Sequence, residues 1–296
     1  MIWDVHCHFP RNFGAEVEEE PAKLIDQRAE ALRAAGVTRA SLLSGGGRTG
    51  SLTYEDCLTY ARRHEDLFVP VAVVPIDESN GHDVRRAHEL GYRGLKIIGS
   101  KHDYDYHGYW RTYEAAEQLN MPILFHMGVI GGGVDYSITH PRRDARAAET
   151  MARMQRIGRG APRDVSAARM RPFHLDTIAN NFPQLRMIGA HMGGTGNYDE
   201  AASVVRWRHH VFLDLSGGDT IERHAEERGL IGREIGVEKL VWGSDCRDEE
   251  IGEHVERLHA IFDRVGLSAD ERDRILYRNA AEMFGEVEPQ IAAATA

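Results

Sequence analysis

Met1-Ile2-Trp3-Asp4-Val5-His6 is a short, mostly apolar run that ends on a histidine, the pattern of a buried strand with a polar group at its C-terminal end. Seven comparable runs follow: Arg39 to Leu43, Phe68 to Val74, Gly94 to Ile98, Pro122 to His126, Arg186 to His191, Val211 to Leu215 and Lys239 to Gly243. Helical periodicity, or a polar loop leading into it, separates each run from the next. Continuously apolar strands that alternate with helices form a parallel sheet covered on its outer face. Eight such units close best into an α/β fold of the (β/α)8 TIM-barrel type. An open, doubly wound sheet is the competing arrangement. Against it, no strand runs into a Gly-rich dinucleotide loop, and the strand ends carry His and Asp.

The 296 residues suit one such barrel, and no Ser/Gly/Pro linker divides them. A single domain is expected over residues 1–289, with the tail 290–296 fraying. Near the end of the chain, Ser268 and Glu271 form a capping-box pattern. Ile275, Leu276, Ala280, Met283 and Phe284 then make a helical stripe that Gly285 stops. The stretch of about 128–172 is too long for an ordinary strand-to-helix link and reads as an insertion after the fifth strand, with a short helix at Met151 to Ile157.

Hydrophobic residues make up 42% of the chain and charged residues 28%, which fits an ordinary globular protein. A formal charge of −10 argues against nucleic acid or an anionic membrane as partner. No apolar run is long enough to cross a bilayer and no secretory signal opens the sequence, so cytoplasmic residence is expected. Cys7, Cys57 and Cys246 cannot all pair within the chain, which suits a reducing compartment. Within the insertion the balance reverses: nine arginines lie between Arg142 and Arg171 against Asp144, Glu149 and Asp164.

Asp4, His6 and His8 alternate, so a regular strand points all three to one side and Val5 and Cys7 to the other. Two imidazoles on one face can reach one metal ion. With 16 histidines in the chain, such a pair also arises structurally, and Asp245 read alone could be a helix cap. His126, His191 and Asp245 nevertheless end the fifth, sixth and eighth strands, and in a closed barrel those ends converge. Imidazole nitrogen and carboxylate oxygen suit zinc, and a catalytic site keeps one position open for water.

These residues carry a resemblance. Asp4-Val5-His6-Cys7-His8-Phe9, Pro122-Ile123-Leu124-Phe125-His126, Arg171-Pro172-Phe173, Asn181-Phe182-Pro183, Ala190-His191-Met192-Gly193-Gly194, Trp242-Gly243-Ser244-Asp245 and Asn279-Ala280-Ala281-Glu282-Met283-Phe284-Gly285 appear in that order. The chain resembles the amidohydrolase superfamily, in particular its amidohydrolase-related branch, which includes small-acid decarboxylases and lactone hydrolases. The resemblance implies His6, His8, His126 and Asp245 as ligands of one divalent ion, Zn2+ or Mn2+, with Asp245 also handling a proton. It gives His191 a substrate-polarising or base-assisting role. Lys96 stands where binuclear relatives carry a carboxylated lysine between two metals; pairing with a substrate carboxylate or an inner acid is the expected alternative. Branch members also resemble one another in forming homodimers or larger assemblies.

Several loops border that rim. Lys101 to Trp110 crowds His102, His107 and several aromatic rings after the fourth strand, as pocket lining or as anchors for the next helix. Arg142 and Arg143 are candidate contacts for a substrate carboxylate. The glycine runs at Gly45, Gly131 and Gly193 match neither a P-loop nor a Rossmann fingerprint.

The expected activity is therefore metal-dependent hydrolysis of an ester, lactone or amide in a small organic acid. Non-oxidative decarboxylation of a small cyclic or aromatic acid is the alternative, and an inactive metal-binding barrel a third. Met127-Gly128 after His126 departs from the proline-containing continuation common in the family, which favours hydrolysis over decarboxylation.

Overall fold

The computed structural model describes residues 1–10, 20–45, 52–130 and 164–287. Eight strands form one sheet in chain order: β1 (Trp3–His8), β2 (Arg39–Ser44), β3 (Phe68–Val74), β4 (Gly94–Ile97), β5 (Ile123–Phe125), β6 (Met187–Gly189), β7 (Val211–Asp214) and β8 (Leu240–Val241). Every neighbouring pair is parallel. β8 meets β1 again where Val5 N–H donates to Trp242 C=O and Asp245 N–H to His6 C=O, both at 2.9 Å. The TIM-barrel-like fold read from the sequence is the one observed, and each of the eight anticipated strands forms.

Helices return the chain from one strand to the next: α1 (Pro21–Ala34), α2 (Tyr54–Ala61), α3 (Gly81–Leu90), α4 (Trp110–Gln118), α5 (Pro172–Asn181), α6 (Tyr198–Trp207), α7 (Asp219–Glu227) and α8 (Ile251–Val265). Local sequence fixes their ends. Proline opens α1 and α5, where a missing N–H costs nothing. Thr53 with Asp56 and Asn80 with Asp83 make reciprocal capping boxes for α2 and α3. The expected Ser268–Glu271 box starts α9 (Ala269–Asp273), which passes through a π-helical turn at Arg274–Arg278 into α10 (Asn279–Met283).

Two apolar layers result. Cys7, Ile97, Phe125, Leu213 and Leu240 face the helices. Trp3, Val5, Val71, Leu124, Ile188 and Val241 fill the barrel, and Ala280, Ala281 and Met283 of α10 plug its lower end. Fully burying each such branched or aromatic side chain contributes about 1.5–3 kcal/mol.

The strict alternation expected for Asp4, His6 and His8 does not hold. Asp4 pairs with Ala40 but Cys7 with Leu42, so β1 carries one extra residue at a β-bulge. Trp3 and Val5 face the interior; beyond the bulge His6 also turns inward, to Lys96 and Asp214, whereas Asp4 lies on the outer side beside Cys7. There the Asp4 carboxylate accepts from His6 N–H at 2.9 Å, Ser244 N–H at 2.9 Å and Ser244 Oγ–H at 2.6 Å. Burial raises its pKa, and those hydrogen bonds pull the other way.

The insertion lies largely at residues 131–163; Arg142, Arg143, most of the arginine island and the Met151 to Ile157 helix lie outside the described residues, as do the glycine runs from Gly46 and Gly131 and the tail 290–296.

Replacing Asp4 with Ala removes the acceptor of three buried donors, each costing about 1–3 kcal/mol when left unmade. Asp4→Ala should therefore lose about 3 kcal/mol or more, read as a lower urea midpoint at unchanged m. A midpoint equal to wild type would mean that Asp4 does not fasten β1 to β8.

Candidate metal centre

Polar side chains meet at the mouth formed by the C-terminal strand ends, the end of a barrel where such sites are built. His6 and His8 close β1, His126 and His191 follow β5 and β6, Asp214 ends β7, and Asp245 follows β8. Gly243 lets β8 approach β1 this closely: a Cβ there would stand 2.4 Å from the Cβ of His6. His191 at φ +57°, Met192 at φ +54° and Asp245 at φ +41° adopt left-handed backbone. For non-glycine residues each such conformation costs about 1–3 kcal/mol, and it is retained here where the side chains must turn into the mouth.

Asp245 Oδ1 lies 3.4 Å from His8 Nε2 and 3.8 Å from His6 Nε2, while its Oδ2 lies 3.8 Å from His191 Nε2. Tetrahedral zinc with bonds of roughly 2.1 Å sets its ligand atoms about 3.4 Å apart, so the His6, His8 and Asp245 atoms are spaced as donors around one ion. Two imidazole nitrogens and one carboxylate oxygen also have the donor chemistry of zinc or manganese. The residues therefore fit a divalent cation. His8 and Asp245 are 18% and 28% exposed against 1% for His6, so solvent reaches this triangle at His8 and Asp245 while His6 is shielded.

Below it the contacts fix His6. Its Nδ1–H donates to Asp214 Oδ2 at 2.9 Å, and its Nε2 accepts from Lys96 Nζ at 3.1 Å. Lys96 projects from β4 and is fully buried. An ion held by His6 Nε2 would compete with the Lys96 ammonium for the same lone pair, so loading the site there would require Lys96 to withdraw. Asp214 and Ser216, which the sequence reading passed over, are fully buried beneath the histidines. The signal available was an acid inside the apolar run Val211-Phe212-Leu213-Asp214-Leu215. Burial pushes the Asp214 pKa up, but the neighbouring His6, its hydrogen bond, and then His191 and Ser216 outweigh it and hold the carboxyl far below its usual range.

His126 sits apart from the triangle. Its Nε2–H donates to Val129 C=O at 3.2 Å, and its ring centre is 5.0 Å from that of His191. Burial, then the charges of His191 and Lys96, keep its imidazole well below the usual pKa. Among the described residues, the donor groups gathered within 4.8 Å are His6, His8 and Asp245; His6, His191 and Asp214; and Asp103, Asp105 and His174. His102 and His107 turn to rings of their own loop, 4.3 Å from Tyr106 and 4.2 Å from Trp110. Tyr104, from the same loop, reaches further and donates to His126 C=O at 3.0 Å.

The sequence pattern of the amidohydrolase family matches residues 3–285. No curated protein matches the chain in sequence. Solved structures share its fold at low identity. An uncharacterised TIM-barrel protein of Bordetella bronchiseptica is 15% identical over 96% of this chain and 98% of its own, with a TM-score of 0.65. A probable 2-pyrone-4,6-dicarboxylic acid hydrolase of Acinetobacter baumannii, with citric acid bound, is 15% identical over 96% and 99%, at 0.60. A 5-carboxyvanillate decarboxylase of Novosphingobium aromaticivorans, complexed with manganese and 4-hydroxy-3-methoxy-5-nitrobenzoic acid, is 14% identical over 96% and 96%, at 0.59. With the barrel, the clustered donors and a family match across nearly the whole chain, the protein belongs to the amidohydrolase superfamily, in its amidohydrolase-related branch.

Proposed function

We propose that the protein is a metal-dependent hydrolase that opens an ester, lactone or amide bond in a small organic acid. The observation that carries this reading is the position of Asp245, a partly exposed carboxylate with one oxygen toward two histidine Nε2 atoms and the other toward a third. His6, His8 and Asp245 would hold the ion, zinc or manganese, and His126, now engaged by Val129 C=O, would be a further imidazole ligand. The ion, when bound, supplies Lewis acidity that eases deprotonation of water and polarises an acyl oxygen. Asp245 accepts the water's proton at Oδ2, the oxygen turned toward His191, and returns it to the leaving group. His191 stands beside that path. Lys96, a buried cation at the floor, favours an anionic substrate, in keeping with the acids bound in the two structurally similar proteins of Acinetobacter and Novosphingobium.

Asp245→Asn keeps the shape but removes the proton acceptor. Turnover should fall by about 100-fold or more with circular dichroism unchanged. The measurement is a screen of metal-loaded protein against lactones, esters, amides and aromatic acids, with and without a free carboxylate. Release of carbon dioxide without bond hydrolysis would replace this reading with decarboxylation, and a preference for uncharged substrates would reject the acid.

Lys96 gives a second test. Lys96→Met nearly conserves volume and frees the His6 Nε2 lone pair from a competing cation, so zinc affinity by competition titration should rise about tenfold, or 1.4 kcal/mol. A fall in affinity would instead make Lys96 a contributor to metal binding, as in carboxylated-lysine sites.

The assembly proposed is a homodimer or larger. Exposed Trp207 on α6 and Phe173 on α5 support it as apolar surface available for a symmetric contact. Light scattering should give at least twice the chain mass; a monomer across a wide concentration range would refute it.

A further inference from the structure

The hydrogen bonds beneath the histidines leave little freedom in where protons sit. Asp214 Oδ1 accepts from His191 N–H at 2.7 Å, Ser216 N–H at 3.1 Å and Ser216 Oγ–H at 2.6 Å, and its Oδ2 accepts from His6 Nδ1–H at 2.9 Å. A carboxylate ringed by four donors has no proton to give. In the 2.6 Å contact with Ser216 the only hydrogen is the hydroxyl's own, so that hydrogen is committed to Asp214. Ser216 Oγ has only lone pairs left for its other neighbours, His191 Nδ1 at 2.9 Å and His6 Nδ1 at 3.0 Å. Both ring nitrogens must then be the protonated ones. Gly217 leaves room for this contact, since a Cβ on it would come within 3.1 Å of His191 Nδ1.

We propose that Ser216 is a positioning residue that carries the acceptor character of Asp214 to His191 and fixes its neutral ring as the Nδ1–H tautomer, so that Nε2 faces Asp245 with a lone pair. His191 then takes up a proton or a cation at Nε2 and has no proton there with which to polarise a substrate oxygen. Of the two roles that the family resemblance implied for His191, this selects base assistance. The reading rests on the same site as the proposed hydrolysis but not on the reaction.

The test is long-range 1H–15N correlation NMR of the full chain labelled with 15N-histidine at pH 8, zinc-loaded and after chelation, with signals assigned by His6→Gln and His191→Gln. In wild type both rings should carry their proton on Nδ1. In Ser216→Ala the His191 proton should move to Nε2 in a large fraction of molecules, while His6, still held by Asp214 and Lys96, keeps Nδ1–H as an internal control. Ser216→Thr, which retains the hydroxyl, should restore the wild-type pattern. An Nε2–H tautomer of His191 in wild type would overturn the proposal, as would a folded Ser216→Ala in which His191 keeps Nδ1–H. Should Ser216→Ala fail to fold, the wild-type spectrum alone decides. None of these outcomes depends on turnover, so a protein that proves not to be a hydrolase leaves the tautomer result standing.

Discussion

The grip of the buried Asp4 carboxylate on two backbone N–H groups, those of His6 and Ser244, is the constraint on which the site depends. One residue serves both ends of the seam. It takes the N–H that the bulge in β1 frees from the sheet, and it holds the chain just before Asp245. Because one of those amides belongs to His6 and the other lies immediately before Asp245, the same carboxylate that closes the barrel also sets the separation of two donor groups. An unpaired buried carboxylate would be destabilising; this one is acceptable because three donors converge on it.

A second carboxylate organises the lower half of the mouth. Asp214 lies at the end of β7, too deep for solvent, and its anionic form is favoured by the imidazoles it orients. A histidine that donates one nitrogen to a carboxylate presents the other in a fixed direction. Lys96 adds a cation against His6 from the opposite wall. Strained backbone at His191, Met192 and Asp245 sits above this support, and the surrounding hydrogen bonds and close packing hold it in place.

The fold was legible because apolar runs and helical stripes report period and length, and the eight strands are separated by clear breaks. His6, His8, His191 and Asp245 were legible because polar residues at strand ends are conspicuous in a barrel. The side that Asp4 faces was not, since alternation presumes a regular strand and a single extra residue reverses it without leaving a mark in composition. Asp214 and Ser216 escaped notice for another reason: an Asp and a Ser closing a strand look like ordinary loop-facing residues until the neighbouring imidazoles are in place. His126 sits at the anticipated strand end, yet the Val129 carbonyl, three residues on, engages its Nε2, a local contact that strand position does not reveal.

The plug formed by α10 bears on how the chain is made. Trp3 stacks on Phe284 with ring centres 5.3 Å apart, so a ring of the first strand waits for a residue just beyond α10 before it is covered. Every inner-facing strand residue shares that wait, because the lower opening stays unsealed until Ala280, Ala281 and Met283 arrive. A nascent barrel lacking this segment presents an apolar bore to its surroundings, the kind of surface that chaperones bind and that aggregates when left unattended. Vectorial synthesis thus makes the order of the elements along the chain part of the protein's solubility while it is being built.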